Sequence, residues 1–449
     1  MSALVTLGNS FRLPSAQGVE TTLPPRMHLL NGVPPLVFLV DGSRLFEVEP
    51  SFFAELASGN ASAEARLFDM AKAWPRAATD HFLPPPTAIT LNVAQSCNLS
   101  CTYCYADEGR FGGHATMMSL ETACAAIDGL LESNHGRRVS IAFIGGEPFL
   151  NREVLYLAVR YALVCAEHTR SRVGFSVTTN GTLLNAQDLA FLREHSFAIS
   201  VSLDGSAEEN NKMRRTRNGT SAFDLAVQAL TPLLENPGRT RITARVTITR
   251  NDLRVLERIN ALLRVGFSEV GVSPLRTSPV PGLALMEQDW PTFLQEMERA
   301  GESEWHHLRE SGRFSFSNLA IAMKQLHSGH CKPLPCGSAL SYVSVSARGE
   351  YFTCHRTVDN PRFVLGDVHS GLSLNQREVF LESRYVDEQE PCRSCWARYL
   401  CCGGCHAEVL SSGRSGCDYV RGWLNYCLRF YDRALREFPT WFEQGERTS

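Results

Sequence analysis

Between Thr87 and Leu275 six short apolar, β-branched runs recur: Thr87–Ala94, Val139–Ile144, Arg172–Thr179, Phe197–Leu203, Arg241–Thr249 and Phe267–Leu275. Five stretches of helical periodicity separate them, starting near Ser119, Asn151, Asn185, Ser221 and Asn251, residues able to cap the first free amides of a helix. Strand alternating with helix predicts parallel βα units. Six units are too few to close an eightfold barrel, so the expected fold class is α/β, a (βα)6 partial TIM barrel with its chemistry at the carboxyl ends of the strands. Ahead of it, residues 26–58 read as two short strands and a helix, a small N-terminal α+β segment, and Pro84-Pro85-Pro86 marks a boundary. The predicted division is 1–84 for this segment, 85–280 for the barrel, 281–330 for a helical bridge and 331–449 for a cysteine-rich domain.

Size and charge bound the function. A chain of 449 residues buries a large core, and a formal charge of −3 gives no sign of a nucleic-acid partner. No window is apolar enough to span a membrane, and the first thirty residues lack a basic start followed by an apolar run, so a cytoplasmic location is expected. In that reducing compartment, fifteen cysteines point to metal rather than disulfides.

The cysteines are patterned. Cys97, Cys101 and Cys104 form a CxxxCxxC loop directly after the first run, where the barrel rule places a functional loop. Three thiolates leave one iron of a [4Fe–4S] cluster open to a chelating ligand, whereas structural zinc sites are closed by four. The second run ends in Gly145-Gly146-Glu147-Pro148, where paired glycines permit close backbone approach and Glu147 is an acceptor for a cationic amine. The third and fourth runs end in Thr179-Asn180-Gly181 and Ser202-Leu203-Asp204-Gly205, polar, glycine-closed ends facing the same mouth.

The cysteine loop, with Tyr103 before its third cysteine, resembles the radical S-adenosylmethionine (SAM) signature, and Gly145-Gly146-Glu147 resembles the motif that holds the methionyl amino group. The resemblance implies that Thr179, Asn180 and Ser202 contact the ribose and carboxylate of SAM, with Arg214 on the carboxylate. Past residue 330, Cys336 and Cys354 are followed by Cys392-x2-Cys395-x5-Cys401-x3-Cys405, and this pattern resembles the SPASM domain of peptide-modifying radical SAM enzymes. It implies two auxiliary [4Fe–4S] clusters besides the SAM-binding one. Cys331, Cys336, Cys354 and Cys405 would hold the first, and Cys392, Cys395, Cys401 and Cys427 the second, with Cys417 the alternative to Cys427.

By that resemblance, reductive cleavage of SAM gives a 5′-deoxyadenosyl radical that removes hydrogen from an unactivated carbon. The substrate would be a precursor peptide or small protein subunit, the reductant a low-potential donor such as flavodoxin or ferredoxin, and residues 1–84 could bind a leader. Sulfatase maturases carry an aspartate after the cysteine that here is Cys354, and this chain has His355. The surrounding stretches look more like thioether-forming maturases such as that of quinohemoprotein amine dehydrogenase. Oxidation of Cys or Ser to formylglycine and carbon–carbon crosslinking are the alternatives, and an iron–sulfur carrier or redox sensor is the non-enzymatic one. Asp204 and His355 are the candidate bases for the proton that must leave the substrate.

Overall fold

The computed structural model describes residues 24–71 and 83–446, so parts of the expected 1–84 segment, and residues 447–449, lie outside the described residues. Three antiparallel strands come first, β1 (Met27–Leu30), β2 (Leu36–Leu39) and β3 (Arg44–Glu47), followed by helices Pro50–Ala57 and Ala61–Ala71. This is one strand and one helix more than the hydrophobic pattern predicts, because strands of four residues carry too few positions for periodicity to register.

The main sheet opens with β4 (Ala88–Gln95), on whose end the short β5 (Thr116–Met117) pairs antiparallel. It continues through β6 (Arg138–Gly145), β7 (Arg172–Thr179), β8 (Ala198–Ser202), β9 (Arg241–Ile248) and β10 (Val270–Pro274). These six long strands pair in parallel in the order β10-β9-β8-β7-β6-β4. Both faces of β4 are buried from Ile89 to Gln95 although its sequence alternates, and on the polar face buried Asn92 donates to Ser344 Oγ and the Val345 carbonyl.

Ser119, Asn185 and Ser221 accept the N-cap bonds of helices Leu120–Glu132, Ala186–Glu194 and Ala222–Glu235. Asn151 precedes helix Arg152–Thr169 but instead donates to the carbonyls of Val93 and Met118, tying that helix to β4. The last helix starts at Val255, four residues after Asn251: residues 249–252 are held in a tight turn instead, Asp252 N–H bonding to the Thr249 carbonyl.

The barrel sheet does not stop at β4. Strand β11 (Tyr342–Val345) pairs parallel to β4, and β12 (Glu350–Phe352), β13 (Val364–Asp367) and β14 (Gly371–Leu372) extend it antiparallel, giving one sheet of 11 strands. The cysteine-rich region is therefore welded to the open edge of the barrel. Helices Trp290–Ser311 and Ser317–Ser328 fill residues 290–328, and helix Cys417–Glu437 packs against both.

A candidate radical SAM site between two cysteine sets

Cys97, Cys101 and Cys104 lie on one loop beyond the β4 terminus and line a cavity of about 510 Å3. The same wall carries Tyr103, Gly145, Gly146, Thr179, Asn180, Ser202 and Arg214, so the carboxyl ends of β4, β6, β7 and β8 converge as the strand pattern predicts. Burial pushes the Cys97 thiol up to about 12 and Cys101 to about 11, and each thiol of the loop adds to the crowding. A bound cation relieves such crowding, and three soft donors on one loop suit iron.

The glycines serve the backbone. A Cβ on Gly145 would stand 2.2 Å from the Ala94 carbonyl oxygen, and one on Gly146 2.2 Å from that of Ser96. Only glycines let this turn lie against the cysteine loop, where Gly146 N–H bonds to Ala94 O at 2.8 Å and Glu147 N–H to Ser96 O at 2.9 Å.

Glu147 takes a different part from the one its sequence position implies. Its carboxylate is fully buried and accepts from Phe149 N–H (3.2 Å), Thr179 Oγ1 (2.8 Å) and Asn180 N–H (2.8 Å). Desolvation raises its pKa to about 7 in spite of these bonds. The side chain braces the β6 and β7 ends from behind and does not line the cavity; the glycine backbone does. Asn180 is likewise engaged, donating to Asn98 Oδ1 at 2.9 Å and, more loosely, toward Cys97 Sγ at 3.8 Å.

Asp204, a candidate base from the sequence, is tightly engaged. Its Oδ2 accepts from Tyr103 OH (2.5 Å) and Arg214 Nε (3.0 Å), and its Oδ1 from Thr247 N–H (2.9 Å) and Arg214 Nη2 (3.3 Å). The carboxylate is fully buried and engaged by four hydrogen bonds, and it orients Tyr103 and Arg214. His355, by contrast, lies on the cavity wall, and burial together with Arg356 lowers its pKa to about 4, which keeps the imidazole neutral.

The sequence reading missed a chain of side chains that closes the far wall. Arg356 stacks over Tyr105 with 4.9 Å to the ring centroid and donates to Glu408 at 2.7 Å; Arg276 approaches the same carboxylate at 3.8 Å and covers the Trp290 ring at 4.6 Å. Arg276, Cys405 and Glu408 also line a second cavity of about 510 Å3. The one signal was position: Arg276 follows the sixth strand, and Glu408 lies three residues past Cys405.

That second cavity is bordered by Cys392, Cys395, Cys401 and Cys417. Burial raises the Cys401 and Cys417 thiols, and the nearby Cys392 and Cys395 add to the rise at both. Cys427 does not join them. It is fully buried in the inner face of helix Cys417–Glu437, its thiol raised by burial alone. Cys417, at the first turn of that helix, borders the cavity, and Cys427, which the sequence reading favoured, does not. Cys336, Cys354 and Cys405 form another mutually interacting group, while Cys331 stands beside Cys402 and accepts a hydrogen bond from Gly42 N–H at 2.8 Å.

Residues 91–244 match the Radical SAM superfamily. Those residues form a radical SAM domain. The domain, from the second half of β4 into β9, holds the cysteine loop and the Gly145-Gly146 turn. Radical SAM enzymes bind SAM and a [4Fe–4S] cluster. The chain is similar to a serine-type anaerobic sulfatase-maturating enzyme of Klebsiella aerogenes, 23% identical with 80% of this chain and 90% of the relative covered. It is similar as well to a cysteine-type counterpart of Clostridium perfringens, 24% identical over 79% of this chain and 95% of the relative. The structure of native anSMEcpe with bound AdoMet and a Cp18Cys peptide shares the fold, with a TM-score of 0.66 at 20% identity, covering 79% of this chain and all of that one. Among the described residues no helix is long and apolar enough to cross a membrane.

Proposed function

We propose that this chain is a radical SAM maturase that oxidises a cysteine or serine side chain of a peptide or protein substrate. The observation that carries this reading is the wall of Arg276, Cys405 and Glu408 that the cavity at the three-cysteine loop shares with the one bordered by the second cysteine set. A substrate side chain held at that wall would lie between the two cysteine sets. The similarity to serine- and cysteine-type sulfatase-maturating enzymes over about four fifths of the chain supports it.

When bound, SAM and the clusters supply a hydrogen-abstracting 5′-deoxyadenosyl radical and an electron sink for the substrate. The chain's own residues bind and orient. Cys97, Cys101 and Cys104 would hold the SAM-binding cluster, and the backbone of Gly145 and Gly146, with Ser202 and Arg214, would seat SAM. Cys331, Cys336, Cys354 and Cys405 would hold one auxiliary cluster, and Cys392, Cys395, Cys401 and Cys417 the other. Leu99, Ile144 and Leu275 exclude water from the cavity, and neutral His355 and the carboxylate of Glu408 are the side chains on its wall able to accept a proton. A flavodoxin- or ferredoxin-class donor would supply the reducing electron.

Thioether formation is the second reading, favoured by His355 standing where sulfatase maturases carry aspartate. Reconstituted enzyme, given a cysteine- or serine-containing sulfatase-motif peptide under anaerobic reduction, is expected to yield a hydrazide-reactive aldehyde. Release of 5′-deoxyadenosine with a crosslinked product and no aldehyde would move the assignment to the thioether branch. Cys97→Ala, Cys101→Ala and Cys104→Ala should each abolish 5′-deoxyadenosine release; parental release from any one would remove that cysteine from the site.

A further inference from the structure

The N-terminal sheet buries both faces, and they face different things. Val37 and Leu39 point to the module's own helices, packing with Phe53, Leu56, Ala63 and Leu67. Their neighbours Leu36, Phe38 and Val40 point the other way and belong to the main core. A module that merely hung from the enzyme to read a peptide would present a polar second face; this one is apolar because it is packed on the cysteine-rich region.

The polar contacts converge on one loop. His28 stacks on Trp396 with ring centroids 3.8 Å apart and planes within 2°, and Phe38 meets the same indole edge-on at 6.2 Å. Arg398, 3% exposed, donates to the Pro25 carbonyl at 2.8 Å and to Asp41 Oδ1 at 3.1 Å, and reaches the Cys395 carbonyl at 3.3 Å. Trp396 and Arg398 both lie within the Cys392–Cys401 span, whose regular structure is limited to the four-residue helix Arg398–Cys401. One turn later, Gly42 N–H donates to Cys331 Sγ at 2.8 Å. The loop's own backbone bonds, such as Cys395 N–H to the Cys392 carbonyl and Cys401 N–H to the Ala397 carbonyl, are all local, and contacts that fix it against the rest of the molecule come from residues some 350 positions away.

We infer that residues 25–42 are a clamp for the auxiliary cysteines, positioning the Cys392–Cys401 loop through His28 and Asp41 and capping the Cys331 sulfur through Gly42. The inference rests on the auxiliary-cluster reading proposed above. His28 and Asp41 are positioning residues: they act through Trp396 and Arg398 and touch no reacting atom.

The test is iron content and low-temperature EPR of the full chain after anaerobic reconstitution. The parent is expected to hold about twelve irons. A folded His28→Ala/Asp41→Ala variant should drop to about eight and lose one auxiliary EPR signal, while still releasing 5′-deoxyadenosine. Asp41→Asn, which keeps an acceptor for Arg398, should retain the parental iron. A folded double variant with parental iron and an unchanged spectrum overturns the clamp. A parent with only about four irons overturns the auxiliary-cluster reading itself, and the clamp with it. If the double variant does not fold, hydrogen exchange on the parent decides: amides of residues 36–42 should become at least tenfold more protected on reconstitution, and equal protection with and without clusters overturns the inference.

Discussion

At the residue scale the site is governed by how completely each polar group is engaged. Arg214 and Asp204 form a buried pair, with 10% and no side-chain exposure, and Tyr103 completes it by donating to Asp204 and stacking against the guanidinium at 5.4 Å. Removing one charge of such a pair strands the other, a cost of about 3–5 kcal/mol when the site is dry. Asp204→Asn should therefore lower stability by about 3 kcal/mol and weaken SAM binding. The shape of the pH–rate profile should stay the same, because no base has been removed. A profile that loses its ascending limb in this variant would return Asp204 to the list of proton acceptors.

At the element scale two tight junctions matter, and the first is at the barrel mouth. The Gly145-Gly146 turn rests on the carbonyls of Ala94 and Ser96, so Gly146→Ala must push the cysteine loop away from its contact at 2.2 Å. Overpacking against backbone costs about 1–3 kcal/mol, and the displaced loop should lose SAM affinity as well, which equilibrium dialysis measures. Unchanged affinity would mean that the turn yields more freely than its hydrogen bonds imply.

The other junction is Glu304 in helix Trp290–Ser311, 3% exposed and accepting from Ser315 N–H, Ser315 Oγ and Phe316 N–H. Burial holds its pKa above the ordinary 4.5 against the pull of those bonds. In the unfolded chain this carboxyl ionises first. As pH rises from about 4.5 toward the raised value, the unfolded state gains, and the part of stability that is full at lower pH is lost. Glu304→Gln should flatten that segment of the stability–pH curve in urea titrations; an unaltered slope would assign it to other groups.

At the scale of the molecule, barrel and cysteine-rich region share one sheet through the β4–β11 pairing, and a buried arginine locks the joint. Arg377 has no exposed surface and donates to the carbonyls of Ala339 (2.9 Å), Leu340 (3.0 Å) and Pro84 (2.9 Å), with burial lowering its pKa to about 10. Arg377→Met would leave those acceptors dry at about 1–3 kcal/mol each, less what water recovers. Calorimetry should show one cooperative transition in the parent and a loss of about 3 kcal/mol in the variant. Two separate transitions in the parent would mean that the shared sheet does not couple the halves.

The order of the six barrel strands and the helices between them, the three-cysteine loop and the glycine turn were determined by the sequence alone. Each rests on local rules: runs of apolar residues, caps at helix starts, and metal ligands separated by two or three positions. The tertiary structure alone decided that Cys417 and not Cys427 stands with Cys392, Cys395 and Cys401. Both cysteines sit on one helix, and only its packing sets which faces the cavity and which the core. It also decided that Asp204 and Glu147 are braces and not free acceptors, since saturation of a carboxylate depends on donors that come from other strands. The contacts from Arg276 to Glu408 and from Asp41 to Arg398 belong to the same class. They join residues more than a hundred positions apart, and no periodicity or spacing along the chain encodes such a meeting.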